Sequence, residues 1–307
     1  MEKSVDLILP AHNESGNIIP IHKEILDALE PMGYTFQMIF VDDGSTDDTL
    51  DVIRALSAAD SRVKFVSLSR NFGHQNAIKA GLDFSSANIV IMMDCDMQHP
   101  PEMVSVLLKE YENGYDIVRT HRLEVEHTGF FKRKTSNLFY GILNKFSDIQ
   151  LEKGSADFRL VSGKALEHLK SFSEMDLFYR GLIKWIGFSQ VSIAFEPRPR
   201  TYGETKYSFT RMVSLGLKGF TSFSTKPLYF SAYIGMMVSV ASLLYIPYVV
   251  YALVYGRAIA GWASAIVTVA FFGGLNLMIL GIIGIYLSKL FAQSKDRPHY
   301  IVKGTNL

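Results

Sequence analysis

The chain has 307 residues and a formal net charge of +1, with 31 basic side chains against 30 acidic ones. That balance leaves no global basic field, which argues against nucleic acid as a partner. The single cysteine, Cys95, excludes an intramolecular disulfide framework and fits a reducing compartment. Residues 5–10 read as a buried strand halted by Pro10. This first apolar run is too short, and too interrupted by Asp6, for a signal peptide. The loop Ala11-His12-Asn13-Glu14-Ser15 leads to a helix over 17–29, with Ile18, Ile21, Ile25 and Leu29 at helical spacing. A second strand, 37–41, runs into Asp42-Asp43-Gly44-Ser45-Thr46-Asp47, where Ser45 or Thr46 is the expected N-cap of a helix over 48–59.

A third strand spans 63–68, followed by the polar loop Ser69-Arg70-Asn71-Phe72-Gly73-His74 and a helix over 75–85. The fourth strand, 89–93, ends in Asp94-Cys95-Asp96-Met97-Gln98-His99, and Pro100-Pro101 forbid its continuation. A helix over 102–112 and a strand over 115–120, ending at His121 and Arg122, complete the alternation. Such a pattern predicts an α/β fold with a mostly parallel sheet covered on both faces. Right-handed crossovers then bring Asn13, Asp43, Arg70 and Asp94 to one edge.

The second half of the chain has a different character. Residues 130–146 interleave Phe130, Phe131, Phe139 and Phe146 with Lys132, Arg133, Lys134 and Lys145. That pattern reads either as a helix lying in a bilayer interface or as a domain helix with a basic outer face. Residues 228–255 and 258–288 contain no charged side chain, and each run exceeds the roughly 20 residues that cross a hydrocarbon core. Aromatics lie towards their ends (Tyr229, Phe230, Tyr255, Trp262, Tyr286), and only Gly256-Arg257 joins them. The expectation is a two-helix transmembrane hairpin, about 228–255 and 259–288. Lys218, Lys226, Lys289, Lys295 and Arg297 flank its outer ends and put both termini and the sheet domain in the cytoplasm. The expected domains are a catalytic domain over 1–207, a juxtamembrane amphipathic helix over 208–226, the membrane segment over 227–291 and a cytosolic tail over 292–307.

The chemistry centres on the end of the fourth strand. Asp94 and Asp96 are hard oxygen ligands and Gln98 adds a carbonyl, a set suited to Mg²⁺ or Mn²⁺ with phosphate and water completing the shell. The alternative is that the two aspartates only satisfy turn amides. A metal at a strand end implies a phosphate-bearing ligand, and Arg198, Arg200 and Lys206 supply cations around Gly203 in a loop able to close on it. His74, His121 and His127 read as polar surface or loop residues, whereas His12 stands where it can reach a nucleotide base.

Taken as an ordered set, several stretches resemble inverting family 2 glycosyltransferases of GT-A fold. They are Pro10-Ala11-His12-Asn13-Glu14, Val41-Asp42-Asp43-Gly44-Ser45-Thr46-Asp47, Arg70-Asn71-Phe72-Gly73, Asp94-Cys95-Asp96-Met97-Gln98-His99-Pro100, Asp157-Phe158-Arg159-Leu160 and the set Arg200, Tyr202, Gly203, Lys206, Tyr207 and Ser208. More narrowly, the chain is similar to polyprenyl-phosphate glycosyltransferases, namely dolichol-phosphate mannose synthases and bactoprenol glucosyltransferases. The hairpin and the closing Arg297-Pro298-His299-Tyr300-Ile301-Val302 point to the second branch.

That resemblance implies a site. Pro10, Ala11, Asn13, Glu14, Asp42 and Asp43, with Asp94 and Asp96, line the nucleotide pocket. Asp94, Asp96 and Gln98 hold the metal on the donor diphosphate, and Arg200 and Lys206 clamp the phosphates. Arg122, Lys132, Arg133 and Ser136 bind the acceptor phosphate, although a lysine stands at 132 where an arginine is usual. Asp157 matches the position often proposed as base. A phosphate monoester, with its second pKa near 6, needs no base at neutral pH, so Asp157 is expected to orient the sugar or tune the site. The implied reaction moves a hexose, glucose from UDP-glucose being favoured, onto undecaprenyl phosphate with inversion, for cell-envelope glycan modification such as that of O-antigen. The implied setting is the inner membrane, with a homo-oligomer, a tetramer among relatives. Two other readings stand beside it. A processive synthase would carry a Gln-x-x-Arg-Trp signature, which Phe178-Tyr179-Arg180-Gly181-Leu182-Ile183-Lys184-Trp185 lacks. An inactive membrane scaffold would have shed some of the acidic and basic residues.

Overall fold

The computed structural model describes residues 4–123, 154–198, 225–255 and 261–307. These fall into two compact units: the residues up to 198 together with 297–307, and the residues from 225 to 296.

The first unit is built on an eight-stranded sheet. Its elements are β1 (Ser4–Ala11), α1 (Ser15–Leu29), β2 (Thr35–Asp42), α2 (Thr49–Ala59), β3 (Val63–Leu68), α3 (His74–Phe84), β4 (Ile89–Met92), α4 (Met103–Glu112), β5 (Ile117–Arg122), β6 (Ser155–Ser162), α5 (Gly163–Ser171), α6 (Tyr179–Trp185), β7 (Gln190–Phe195) and β8 (Val302–Thr305). The spatial order is β7-β5-β6-β4-β1-β2-β3-β8. The strands β3, β2, β1 and β4 run parallel, as the alternation of the sequence requires. β6 enters antiparallel between β4 and β5, and β8 lies antiparallel on β3. The sheet is therefore mixed, with a parallel half that carries the acidic loops.

Strand alternation sorts the core. Val5, Leu7, Leu9 and Ala11 of β1 pack with Ile18, Ile21 and Ile25 of α1, Ile53 of α2 and Val104 and Leu107 of α4. On the other face α3 comes so close that a Cβ at Gly81 would lie 2.2 Å from Ile8 Cγ2. Asp6, the charge inside the first strand, is buried because its Oδ2 accepts from Ser85 Oγ at 2.6 Å and from the Ser86 amide at 3.2 Å.

Two details differ from the sequence expectation. The N-cap position of α2 is Asp48, and Asp47 Oδ1 accepts the Thr49 amide at 3.1 Å, so neither Ser45 nor Thr46 caps it. Both are committed elsewhere: Ser45 Oγ accepts the Asn13 amide at 3.0 Å, and the Thr46 amide donates to Asn13 Oδ1 at 2.8 Å. Secondly, the segment beyond the second long helix ends in β8, which covers the outer edge of β3. Asn306 adds to it, accepting the Phe65 amide at 2.7 Å and donating to Ser57 Oγ at 2.6 Å.

The second unit holds two long helices, α7 (Lys226–Val254) and α8 (Trp262–Ser294). Among the described residues one stretch, Phe271–Ser294, is long and apolar enough to cross a membrane, and none of its most apolar window is buried. In α7 the apolar segment Leu228–Val238 is shorter.

Candidate active site

The parallel strands deliver their carboxyl ends to one edge, and the loops there brace one another. Asp43, just past β2, is buried, and its carboxylate accepts the Phe72 amide at 2.7 Å and the Gly73 amide at 2.9 Å. Burial pushes its pKa up against those two bonds. Gly44 permits this closeness: its φ is +63°, and a Cβ there would lie 2.4 Å from the Arg70 carbonyl carbon. Asp42 Oδ1 accepts the Ser45 amide at 3.1 Å and Oδ2 accepts Ser67 Oγ at 3.2 Å. His12 Nδ1 lies 3.0 Å from the Asp43 carbonyl oxygen. Asn13 is exposed in the left-handed region at φ 56°. Glu14 takes the Asn17 side-chain amide at 2.6 Å, while its backbone amide donates to Thr49 Oγ1. The structure thus brings Pro10, Ala11, Asn13, Glu14, Asp42 and Asp43 to one rim.

Beyond β4 the acidic loop turns tightly. Met97, between Asp96 and Gln98, has φ 60°, an uncommon value for a side chain of its size. Asp96 is buried and its Oδ1 accepts the Gln98 amide at 3.1 Å. The Gln98 carbonyl accepts the Arg198 amide at 3.1 Å. The Asp94 amide lies 3.2 Å from His99 Nδ1. His99 is fully buried, stacked on Phe158 with centroids 5.1 Å apart, and burial lowers its pKa. Arg122, at the end of β5, brings Nη2 to within 3.4 Å of His99 Nε2.

Among the described residues no three His, Cys, Asp or Glu side chains form a metal cage by themselves. Asp94, whose side chain is 26% exposed, and Asp96 instead offer two carboxylates on one short loop. That donor set fits a Mg²⁺ or Mn²⁺ ion that draws the rest of its shell from phosphate and water.

The third part of the site was not legible from spacing. The β4–β6 ladder ends at Met92↔Arg159, and two residues further on stand Asp94 and Asp157. Asp157 is 7% exposed and ion-paired with the buried Arg159. Arg180, on α6, reaches it with Nε at 3.2 Å and Nη2 at 2.8 Å. His74 opens α3 and places Nε2 3.4 Å from Asp94 Oδ1 and 3.7 Å from Asp157 Oδ2. Burial works to raise the Asp157 pKa, but Arg180 and Arg159 outweigh it and hold the carboxyl well below the usual range. Burial lowers the His74 pKa, and the two carboxylates overcome that to bring it to about 9. His74, read from sequence as a loop residue, is thus a member of the site, and Arg159 and Arg180 join it. Arg200, Lys206, Lys132, Arg133 and Ser136 lie outside the described residues.

Comparison with known proteins places the chain in a family. The chain is 35% identical over 300 residues to the bactoprenol glucosyl transferase of Shigella phage SfV, covering 97% of this chain and 98% of that protein. It is 36% identical over 298 residues to the uncharacterized glycosyltransferase YkcC of Bacillus subtilis (strain 168), covering 97% and 92%. Among solved structures, mannosyl-3-phosphoglycerate synthase from Rubrobacter xylanophilus aligns over 70% of this chain and 71% of that one, with a TM-score of 0.49 and 17% identity. The sequence model of glycosyl transferase family 2 matches residues 6–170, and with relatives of this similarity along nearly its whole length the chain belongs to glycosyl transferase family 2.

Proposed function

We propose that the protein transfers a sugar, glucose from UDP-glucose in the favoured case, to a membrane polyprenyl phosphate with inversion at the anomeric carbon. The observation that carries this reading is the 35% identity to a bactoprenol glucosyl transferase across 300 residues, which extends through the apolar C-terminal helices. An acidic loop at a parallel strand end supports it physically, because it suits a nucleoside diphosphate held through a divalent ion.

In the reaction an oxygen of the lipid phosphate attacks the anomeric carbon, and the bond from that carbon to the β-phosphate oxygen breaks. The bonding pair leaves with the nucleoside diphosphate. The attacking phosphate is already largely dianionic near neutral pH, so no proton has to be removed. Asp157 is a poor candidate for a base, since two arginines lower its affinity for a proton; its role is to position its partners. Asp94, Asp96 and Gln98 would hold the metal, which when bound offsets the negative charge growing on the departing diphosphate. Asn13, Glu14, Asp42 and Asp43 shape the nucleoside rim. Arg122, with Lys132, Arg133 and Ser136, receives the acceptor phosphate, and Arg200 and Lys206 close on the donor. The helices α7 and α8 form a membrane hairpin, with both termini and the sheet unit on the cytoplasmic side of the inner membrane. The protein works there as a homo-oligomer.

The test is incubation of the purified full chain with undecaprenyl phosphate, Mn²⁺ and a panel of sugar nucleotides, followed by mass spectrometry of the lipid. A glycosylated lipid phosphate is expected with a UDP-sugar. Hydrolysis alone, or transfer only to water-soluble acceptors, would refute the acceptor assignment.

A further inference from the structure

Two guanidiniums meet at the buried carboxylate of Asp157. Arg159 is 1% exposed and approaches Asp157 from within the sheet, where its Nη2 also donates to the Ala156 carbonyl at 2.7 Å. Arg180 approaches the same carboxylate from α6. Burial lowers the Arg159 pKa only to about 10, so its guanidinium remains charged at neutral pH.

Exposure decides which of the partners can meet a ligand. The Arg180 side chain is 25% exposed and that of His74 is 41% exposed, against 2% for Arg159. Arg180 Nη2 and His74 Nε2 converge on one oxygen, Asp157 Oδ2, at 2.8 and 3.7 Å. His74 simultaneously stands 3.4 Å from Asp94, on the loop suited to a diphosphate-bound metal. The arrangement therefore has a buried anchor and two partly exposed nitrogen-bearing side chains beside the acidic loop. An arginine and an imidazole so placed suit an anion with several oxygens.

We propose that Arg180 and His74 form a phosphate-oxygen clamp mounted on the buried carboxylate of Asp157. The proposal rests on the glycosyltransferase reading and deepens it by naming two binding residues and one positioning residue. The phosphate is that of the donor diphosphate or of the lipid acceptor, which share the same chemistry.

The experiment uses the full chain in detergent with Mn²⁺, as wild type, Arg180→Gln and His74→Gln. Calorimetry gives the Kd of UDP and of uridine, and steady-state kinetics give the KM of undecaprenyl phosphate. Each variant is expected to weaken one phosphate ligand, the same one in both, by about ten-fold or more, the scale of a lost charge-assisted hydrogen bond. Loss in the UDP arm with uridine binding unchanged assigns the clamp to the donor; loss in the lipid arm assigns it to the acceptor. Constants within about two-fold of wild type in both arms would overturn the proposal, as would uridine binding that falls as far as UDP binding. Should Arg180→Gln not fold, His74→Gln decides by the same criteria, because its side chain is the most exposed of the three at 41%. A wild-type protein that binds neither UDP nor lipid phosphate would instead refute the glycosyltransferase reading itself.

Discussion

Arg180 holds Asp157 side-on, Nε to one carboxylate oxygen at 3.2 Å and Nη2 to the other at 2.8 Å. Both oxygens of Asp157 are therefore engaged before any substrate arrives, and Arg159 takes one of them from the other side. A carboxylate held this way keeps its charge down to strongly acidic pH.

The first expected outcome concerns that charge. Asp157→Asn should lower turnover while leaving the acid limb of the pH–rate profile in place between pH 5 and 8, because the group that titrates there is not Asp157. The same variant should lose about 3 kcal/mol of stability, since it leaves the buried Arg159 guanidinium without its charged partner. Thermal unfolding and a pH–rate profile of the two proteins check both statements. Disappearance of the acid limb would restore Asp157 as a base.

Removal of the divalent ion should abolish transfer, and Mn²⁺ or Mg²⁺ should restore it. Asp94→Asn and Asp96→Asn should each cut turnover by at least about 100-fold, the scale of a lost charge-stabilising contact. Asp96, the more buried of the two, should also show the larger fall in Tm. Activity assays before and after chelation, with metal add-back, measure this.

Gly44→Ala should disable the site from a distance. Its Cβ would collide with backbone at Arg70 and Asn71, atoms that cannot rotate away, and its φ of +63° disfavours any side chain. The displaced loop is the one whose amides Asp43 accepts. Gly81→Ala meets the side chain of Ile8 instead, so it should cost about 1–3 kcal/mol of stability with a smaller effect on donor affinity. Comparing UDP affinity with Tm for the two variants separates the cases.

Acid stability should report a cluster remote from chemistry. Asp60 accepts from Arg62 and from His22, at 2.9 and 3.1 Å in the ion pairs, and Arg62 also reaches Glu30 at 2.9 Å. The Arg62 side chain, ahead of the opposing effect of burial, holds the Asp60 pKa far below its ordinary value. A carboxyl depressed on folding stabilises the native state above its unfolded pKa, near 3.9, and that contribution is lost as pH falls towards the folded value. Asp60→Asn should therefore unfold more readily than wild type at pH 7, with the gap narrowing below about pH 4. Chemical denaturation at the two pH values tests the sign.

Much of the sheet was readable because its parallel strands are buried on both sides and so are continuous apolar runs, as in residues 38–41 and 89–92. The acidic loop was readable for a related reason: Pro100 and Pro101 mark the strand end and the aspartates stand beside them. β6 was visible only as a motif, because Asp157 and Arg159 inside it break the apolar pattern and are tolerated only as an ion pair. α6 spans just Tyr179–Trp185, too few residues to establish a period. The roles of His74 and Arg180 depend on the β4–β6 register and on where α6 comes to rest, and local spacing encodes neither. β8, with the sequence Val-Lys-Gly-Thr, carries almost no strand signal and is held by pairing with β3 and by Asn306.

The placement of that last strand has a bearing on biogenesis. Phe65 finds its side-chain partner 241 positions later in the chain, after both long helices have been made. During synthesis the outer margin of β3 stays open to other chains, and open strand margins invite aggregation. A ribosome that stalls within the apolar helices would release a sticky catalytic half.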